Sequence, residues 1–543
     1  MRRLVLALLL LVFALPAKAK DELVIGVTQF PATLNPAIES MLAKTYVLAF
    51  AHRPVTAFDA KWQLACMLCE RLPTMENGLA KPEGKGVAIT YTLRADAKWA
   101  DGTPVSSADV VFTWEVGKHP QSGVASAELF RRIQKIDVKD ARTFTLHLDR
   151  LTFDYNAIND FRLLPAHIEK PRFTAAPADY RNRTAYDQDS ANPGLYNGPF
   201  RITQVVQGSH VVLEPNAHWA GPKPAFKRIV VKAVENTAAL EANLLAGGVD
   251  MIAGELGLPL DQAIAFEKRN AARFDVVFKP SLVYEHLDVN LANPVLADRA
   301  VRQALMHALD REALSKQLFD GRQPVAHSVV PPLDWVFADD VAKYPYDPAK
   351  AAALLETAGW KAAAGGMRRN AKGEPLALEL GTTAGSRSRE LVAQVLQSQW
   401  RKVGVEVRLK AEPPRVFFGE TVTRRKFPHL AMFAWYSAPE NVPRSTLHSA
   451  MIPTAENNWS GQNYTGYANP KMDALIDAVE VELDRPKRKA LWRELQHLYA
   501  ADLPALPLYF RADAHILPKN LKGVEPTGHQ DPTPLWVENW RWE

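Results

Sequence analysis

The sequence is poor in cysteine and has no strong excess of charge of one sign. Its 543 residues include two cysteines, and 65 basic side chains stand against 60 acidic ones. Charges of both signs are interspersed, which indicates no basic surface for DNA or RNA. Two sulfur ligands alone cannot complete a zinc site. The composition therefore argues against a nucleic-acid-binding protein and against a zinc protein built on cysteine.

Sequence motifs of common enzymes are also missing. The chain has no glycine-rich phosphate loop ending in Gly-Lys-Ser/Thr, no Gly-x-Ser-x-Gly nucleophile turn and no His-Glu-x-x-His zinc helix. Its 14 histidines are scattered without the spacing of metal ligands. We therefore predict no catalytic residues, no metal ligands and no cofactor, and expect a binding protein rather than an enzyme.

Long apolar runs are absent except at the N-terminus. A basic pair at 2–3 precedes an apolar run at 4–15, and Pro16 and a small-x-small triplet at 17–19 follow. This pattern is typical of a secretory signal peptide, here residues 1–19. No later segment reaches the roughly 18 apolar residues of a membrane-spanning helix. We expect a protein that is exported to the periplasm and does not itself span a membrane.

The two cysteines form the pair Cys66-x-x-Cys69. In an oxidising compartment such a pair can close a small disulfide. A redox motif would instead open a helix, whose dipole lowers the pKa of a thiol, and residues 70–73 (Glu-Arg-Leu-Pro) do not resemble a helix start. Two structural thiols and one local disulfide both remain open.

Strands and helices alternate along the chain, which has room for more than one hydrophobic core. After an initial strand at 23–28, the pattern predicts two strand-helix-strand units some 150 residues apart. The first comprises a strand at 226–233, a helix at 237–246 and a strand at 249–253, and the second a strand at 376–380, a helix at 386–402 and a strand at 405–409. Such units pair their strands in parallel through right-handed crossovers. The sequence therefore predicts two α/β lobes.

Helix starts are marked by short polar signals. Ser106 and Asp109 form a capping box, and Asp347-Pro348 and Asn469-Pro470 each precede a helical pattern. The apolar side of the last of these helices is expected to carry Met472, Leu475, Ile476, Val479 and Leu483. We assign these apolar stripes to the core.

The most specific pattern lies at 91–114. A strand ending in Leu93-Arg94 is followed by a Trp-Ala-Asp-Gly turn at 99–102 and by Pro-Val-Ser-Ser-Ala-Asp-Val at 104–110. This segment closely resembles the signature of the family 5 extracellular solute-binding proteins, the peptide, dipeptide and nickel-binding group. The turn and the capping box explain the motif physically, so we interpret it as structural.

Further segments resemble this family in the same order across the mature chain: 196–200 (Tyr-Asn-Gly-Pro-Phe), 300–311, 346–360 and 492–510. The resemblance implies an α/β fold of the periplasmic-binding-protein type, a clamshell of two α/β lobes joined by a hinge, with a subdomain inserted in the first lobe. The implied boundaries are lobe I at 20–55, 181–284 and 506–543, the inserted subdomain at 56–180, lobe II at 285–505, and a hinge near 281–290 and 503–511.

The resemblance also implies where a ligand binds. Peptide-binding relatives carry a Trp-x-x-Asp segment in the second lobe whose carboxylate pairs with the α-ammonium of the peptide. Here Trp435 matches, but Ala438 stands in place of the aspartate. A buried ammonium without a counter-charge is costly. Either Glu440 takes over this role, or the ligand presents no free amino terminus there.

Polar and aromatic residues are dense after Trp435, and the loop after the first strand faces the cleft in this family. Asn, Gln, Tyr and Trp suit a cleft that binds an amide backbone, and Arg444 is a candidate partner for a ligand carboxylate. The candidate ligand-binding residues are Phe30, Thr33, Asn35, Trp435, Tyr436, Glu440, Asn441, Arg444, Trp459, Gln462 and Asn463.

These observations predict a monomeric receptor of an ABC importer that binds an oligopeptide or a modified peptide and is recognised by the permease transmembrane subunits. The alternative within the same class is a non-peptide solute such as an opine, an oligosaccharide or a metal chelate, which the alanine at position 438 leaves open. A periplasmic hydrolase is the less favoured alternative from another class.

Overall fold

The computed structural model of the chain describes residues 20–38, 41–124, 127–234, 236–413, 416–456, 459 and 461–543. The predicted signal peptide, residues 1–19, lies outside the described residues.

The strands that follow are numbered in chain order: β1 Glu22–Val27, β2 Thr56–Phe58, β3 Leu64–Cys66, β4 Ala80–Glu83, β5 Gly86–Thr92, β6 Ile133–Val138, β7 Thr143–Leu148, β8 Phe200–Val206, β9 His210–Pro215, β10 Arg228–Ala233, β11 Met251–Ile252, β12 Phe274–Val289, β13 Lys361–Ala362, β14 Arg368–Arg369, β15 Ala377–Thr383, β16 Glu406–Glu412, β17 Leu430–Tyr436, β18 Ala505–Pro518, β19 Leu521–Lys522 and β20 Arg541–Trp542.

The α-helices are numbered in the same way: α1 Leu42–Ala51, α2 Ser107–Lys118, α3 Glu128–Arg132, α4 Ala166–Ala175, α5 Ala185–Gln188, α6 Thr237–Leu245, α7 Leu260–Asn270, α8 Pro294–Ala297, α9 Arg299–His307, α10 Arg311–Phe319, α11 Pro348–Thr357, α12 Arg387–Lys402, α13 Arg444–Leu447, α14 Pro470–Val481 and α15 Arg485–Asp502.

The main sheet has ten strands within the described residues, in the order β16-β15-β17-β12-β18-β11-β1-β10-β9-β8. Strand β1 pairs in parallel with β10 and β11, and β15 pairs in parallel with β16 and β17. The two predicted strand-helix-strand units are therefore confirmed, because β10-α6-β11 and β15-α12-β16 each return to the same sheet in parallel.

Strands β12 and β18 connect the two halves of this sheet. They pair antiparallel with each other from Phe274 to Asp288, with a register irregularity between Pro280 and Tyr284. On one side β12 pairs with β17, and on the other β18 pairs with β11. The chain thus passes between the lobes as two long neighbouring strands. The domain boundaries and the hinge positions stay predictions.

Separate apolar cores form under the two halves and under the inserted segment. One core packs α1 against β1 and the β8-β9-β10 strands, with Phe50 and Leu23 fully buried. A second core lies under the β4-β5-β7-β6 sheet and includes Trp99 and Tyr91. The core of the second half extends across the crossing strands to α6 and α7, since Leu240 belongs to the same cluster as Trp400. The connection between the lobes is therefore packed on one side.

The segment at 91–114 folds as its pattern predicts. Gly102 has a φ of +92°, in the left-handed region that favours glycine. The carboxylate of Asp109 accepts the backbone N–H groups of Ser106 (2.8 Å) and Ala166 (2.8 Å) and the indole N–H of Trp99 (3.3 Å). Asp109 thus closes the capping box of α2 and also anchors the start of α4.

One detail of the predicted helices is wrong. Helix α14 ends at Val481, and Leu483 is 45% exposed rather than on the buried side. The reason is local, because Asp484 caps the next helix through the N–H of Lys487 and leaves Leu483 in the short connection.

The open question about the two cysteines is also answered, since Cys66 and Cys69 form a disulfide.

We predict that Asp109→Ala lowers the free energy of unfolding by about 3 kcal/mol, because a capping contact worth about 1 kcal/mol is lost and further donors are left without acceptors at about 1 kcal/mol or more each. Ser106→Ala, which removes only the cap side chain, serves as the control and is expected to cost about 1 kcal/mol. Urea unfolding followed by circular dichroism measures both, and equal losses would contradict the anchoring role of Asp109.

Candidate functional site

The strand directions point the loops of both lobes at one gap. Strand β18 enters from the second half of the sheet, and β11 and β1 run opposite to it, so both end facing lobe II. Strand β12 runs the other way, and β17, antiparallel to it, ends facing lobe I together with β15. In open α/β sheets ligands bind outside the carboxyl ends of the strands. The gap between these ends is therefore the candidate site.

A cavity of about 100 Å³ lies where β17 ends beside the two crossing strands. We call it the lobe II cavity. Its walls combine aromatic rings, neutral polar groups and one carboxylate: Leu282, Tyr284, Val329, Val330, Pro331, Asp334, Trp435, Tyr436, Ser437, Ala438, Asn441, Pro443, Ser445, Thr446, Gln462, Trp492 and Phe510. Four of the predicted ligand-binding residues, Trp435, Tyr436, Asn441 and Gln462, meet here.

The rings of this cavity are held in place by neighbouring side chains. The ring of Trp435 stacks on that of Tyr464, with centroids 5.8 Å apart and an interplanar angle of 27°. The hydroxyl of Tyr284 lies 2.8 Å from the hydroxyl of Tyr499, and its ring contacts Phe510 at 5.5 Å between centroids. The aromatic walls are therefore pre-formed, which reduces the entropy lost on binding a ligand.

A second, larger cavity of about 330 Å³ lies in lobe I. Two predicted residues, Phe30 and Thr33, line it, and the hydroxyl of Thr33 donates to Asp187 at 2.7 Å. The third, Asn35, is fully buried and its side-chain oxygen accepts the N–H of Ala37, and its contact with a ligand stays a prediction. Among the described residues that line the two cavities, none is shared, and the predicted set is divided between the lobes.

Two predicted charged residues are already engaged within lobe II. Glu440 accepts hydrogen bonds from the guanidinium of Arg488 and from the indole N–H of Trp335 at 2.9 Å. Arg444 donates to Glu480 at 2.6 Å and also pairs with Asp477. Neither residue lines either cavity. Their ligand-binding roles stay predictions that require these ion pairs to open.

The last two predicted residues lie in the loop before α14. Asn463 is fully buried and binds the backbone of Tyr467 through both side-chain atoms, at 2.8 and 3.0 Å. The backbone N–H of Trp459 donates to the carbonyl of Thr454 at 2.8 Å, and Trp459 has a φ of +59°. These contacts are those of loop structure, and contact of either residue with a ligand stays a prediction.

The loop after β7 makes direct contacts with α14 and α15. The backbone N–H of Phe153 donates to the carbonyl of Glu480 at 2.9 Å, and Arg150 pairs with the carboxylate of Glu480 at 3.2 Å. The guanidinium of Arg488 lies 4.3 Å from the ring centroid of Phe153. Arg150 and Phe153, in the segment predicted as an inserted subdomain, therefore contact α14 and α15 directly.

An acidic group lies at the base of the gap. The hydroxyl of Tyr436, at the end of β17, donates to Asp513 of β18 at 2.7 Å. Desolvation, helped by the charge of Glu255, raises the pKa of Asp513 to about 7. One carboxylate oxygen of Glu255 accepts the N–H and the hydroxyl of Thr533, and the other is buried without a hydrogen-bond partner among the described residues.

Several residues that line the site were not predicted from the sequence. Tyr284 and Phe510 line the lobe II cavity from the crossing strands, and Asp334 lines it from the loop after α10. The signal for the first two was their place in the segments predicted to connect the lobes. No signal in the sequence distinguished Asp334 from other loop aspartates, because its position depends on packing against residues about a hundred positions away.

Neither a metal cluster nor a membrane span is found in the described part of the chain. No group of three or more His, Cys, Asp or Glu side chains there is arranged to hold a metal ion. No helix among the described residues is long and apolar enough to cross a membrane.

A cleft between two α/β lobes, crossed by two long strands and lined on both sides by strand ends, defines a solute-binding protein. The family model for bacterial extracellular solute-binding proteins, family 5 Middle, matches residues 74–452. The chain therefore belongs to this family, and the predicted clamshell fold and the resemblance are confirmed.

Known relatives match over nearly the whole chain. A crystal structure of the oligopeptide binding protein from Thermus thermophilus complexed with a pentapeptide has a TM-score of 0.84, 30% identity and 96% coverage of both chains. The oligopeptide-binding protein AppA of Bacillus subtilis is 25% identical over 512 residues, 93% of this chain and 89% of that protein. The nickel-binding periplasmic protein of Escherichia coli is 26% identical over 502 residues, 91% and 90% of the two chains.

We predict that Asp513 makes the protein less stable as the pH rises. Its folded-state pKa of about 7 lies above the ordinary value of 3.8, so the native state keeps a proton that the unfolded state releases. The free energy of unfolding, relative to the Asp513→Asn variant, should fall between pH 4 and 7 and level off above. Urea unfolding of both proteins across this range measures the difference.

The matched control is Asp275→Asn, which removes an exposed carboxylate from the neighbouring strand β12. It controls for the loss of a carboxylate from this part of the sheet. A difference between Asp513→Asn and wild type that stays constant over this pH range would contradict the prediction.

Proposed function

We propose that this chain is the periplasmic receptor of an ABC importer and that it binds an oligopeptide or a modified peptide in the gap between its lobes. The observation that carries the proposal is the lobe II cavity, which combines aromatic rings with the amide side chains of Asn441 and Gln462 beside the end of β17 that faces lobe I. Such a surface suits a ligand that alternates amide groups with apolar side chains. No covalent step is required, and the proposed role is binding alone.

Export and recognition by a permease complete this proposal. The residues at 1–19 have the pattern of a signal peptide. Ligand contacts from both lobes favour the closed form over the open one, and we propose that permease subunits recognise the closed monomer. The oligopeptide-binding relatives from Thermus thermophilus and Bacillus subtilis support a peptide as ligand.

A second candidate ligand is a non-peptide solute, including a metal chelate, an opine or an oligosaccharide. The nickel-binding relative from Escherichia coli favours the chelate among these, and Ala438 lacks the carboxylate expected of a peptide receptor. Because the described residues hold no cluster of three metal-ligating side chains, a metal would have to arrive with most of its ligands already bound. A hydrolase is distinguished from a receptor by turnover of the bound ligand.

The ligand can be identified by native mass spectrometry of protein purified from a periplasmic extract and by its exposure to a tryptic digest of casein. Retained peptides are then titrated one at a time, and small-angle scattering records the radius of gyration with and without them. We expect saturable binding and a smaller radius in the complex. Retention of a chelate, with no peptide bound, would support the second candidate instead.

We predict that Trp435→Ala weakens binding of a retained peptide by about 1–3 kcal/mol, because a pre-formed aromatic wall of the cavity is removed. The control is Trp219→Ala, which removes a ring that packs against Arg53 and lies outside both cavities. Isothermal titration gives the dissociation constants. An unchanged constant for the Trp435 variant would place the ligand elsewhere in the gap.

A further inference from the structure

The lobe II cavity contains a single charged side chain. Among the described residues that line it, Asp334 is acidic and none is a lysine, an arginine or a histidine. The cavity of about 100 Å³ has room for a small head group and not for a whole peptide. Its remaining walls are rings and neutral polar groups, so the charge of Asp334 has no partner within the cavity.

Asp334 is positioned by backbone donors and not by a cation. One carboxylate oxygen accepts the N–H of Glu440 at 2.7 Å, and the other accepts the N–H of Val336 at 3.3 Å. The residue is 7% exposed. A carboxylate offers about four acceptor sites, so capacity remains for a ligand donor. Burial, together with the neighbouring charge of Glu440, raises the pKa of Asp334 to about 6.

The other carboxylates near the cavity are already occupied. Glu440 is bound by Arg488 and Trp335, Asp513 binds the hydroxyl of Tyr436, and neither carboxylate lines the cavity. Position 438, which lines the same cavity, is an alanine. Asp334 is therefore the carboxylate that a bound group can reach from inside the cavity.

The rings of the cavity favour the same kind of ligand group as the carboxylate does. Trp435, Tyr436, Tyr284 and Phe510 all contribute to its walls. The faces of aromatic rings carry negative potential and attract cations, most strongly in the case of tryptophan. A cation seated here would lie among aromatic rings and beside a carboxylate.

We propose that Asp334 is the counter-ion for a positively charged nitrogen group of the ligand, a primary ammonium or a guanidinium, bound in the lobe II cavity. The assignment rests on the proposed function, because it describes one subsite of the ligand cleft. In this assignment the carboxylate belongs to the loop after α10, and not to position 438 or 440, the two places where the family resemblance implied a carboxylate that pairs with the ligand.

The hydrogen bonds of Asp334 also suggest a purely structural role, since they join its loop to the loop at 437–441. Two pairs of variants separate charge from structure. Asp334→Asn removes the charge and keeps a side-chain oxygen, and its control is Asp339→Asn on the exposed side of the same loop. Ala438→Lys adds a cation inside the cavity without altering Asp334, and Ala438→Met is the neutral control of similar length.

The probes are three peptide libraries prepared from casein. The first is a tryptic digest. The second comes from casein acetylated before digestion, so its peptides have free N-termini and blocked lysines. The third is the second library acetylated again, which leaves arginine as its main cationic group. Native mass spectrometry and competition titrations measure retention of each library by each protein.

We expect Asp334→Asn to bind retained peptides roughly tenfold or more weakly than Asp339→Asn, since a charge-assisted hydrogen bond is lost, and Ala438→Lys to bind them roughly tenfold or more weakly than Ala438→Met, which occupies the same space without a charge. Binding lost between the second and third libraries identifies the N-terminal ammonium as the cation. Binding lost between the first and second identifies lysine, and retention of all three with equal sensitivity to Asp334→Asn identifies a guanidinium. Equal affinities in variants and controls would overturn the proposal.

Failure of the peptide assignment gives a different result. If wild type retains none of the libraries, the peptide function is rejected, and the cargo carried by wild-type protein from a periplasmic extract is identified instead. The subsite proposal then stands if this cargo has a cationic nitrogen and Asp334→Asn releases it. It falls if the cargo is neutral or anionic, or if no cargo is found.

Discussion

The antiparallel pairing of β12 with β18 is the contact on which the rest of the structure depends. These strands run through both lobes, and their directions fix those of β1, β11, β15 and β17 on either side. As a result the carboxyl ends of the strands in both lobes face one gap, where loops are free to carry binding residues. The continuous core behind them, from Leu240 to Trp400, limits relative movement of the lobes on that side. Opening would have to break the contacts of Arg150 and Phe153 with Glu480 and Arg488.

Much of the fold follows from local sequence. Alternating strand and helix patterns, the capping box at Ser106 and the Asp-Pro and Asn-Pro helix starts depend on residues within a few positions of each other. Whether a charged side chain in the cleft is free to bind a ligand does not follow from local sequence. Glu440 and Arg444 have the composition expected of binding residues, but their partners Arg488 and Glu480 come from helices that pack against the loop only in the folded chain. Sequence could thus predict the region of the site and not which of its charges are available.

Three carboxylates near the gap differ in their surroundings and therefore in how their charge is stabilised. Glu440 is neutralised by a guanidinium, so removing it would leave Arg488 as an unpaired buried charge. Asp513 is desolvated and lies near a second acid, Glu255, and both effects favour its protonated form although the hydroxyl of Tyr436 donates to it. Asp334 accepts hydrogen bonds from two backbone N–H groups, and a cation brought by a ligand would stabilise its ionised form. Of the three, Asp334 is the one that lines the cavity.

The separation of the two cavities bears on how binding is coupled to closure. A ligand shifts an equilibrium only by its difference in affinity for the two states. A group that fills the lobe II cavity alone contacts residues of lobe II and the crossing strands, and gains little from the approach of lobe I. The loop at 30–35 lines a cavity of its own in lobe I. Closure therefore requires a ligand long enough to leave its head group at Asp334 and still reach the first lobe. The width of the gap then selects ligands by length, and the lobe II cavity selects them by charge.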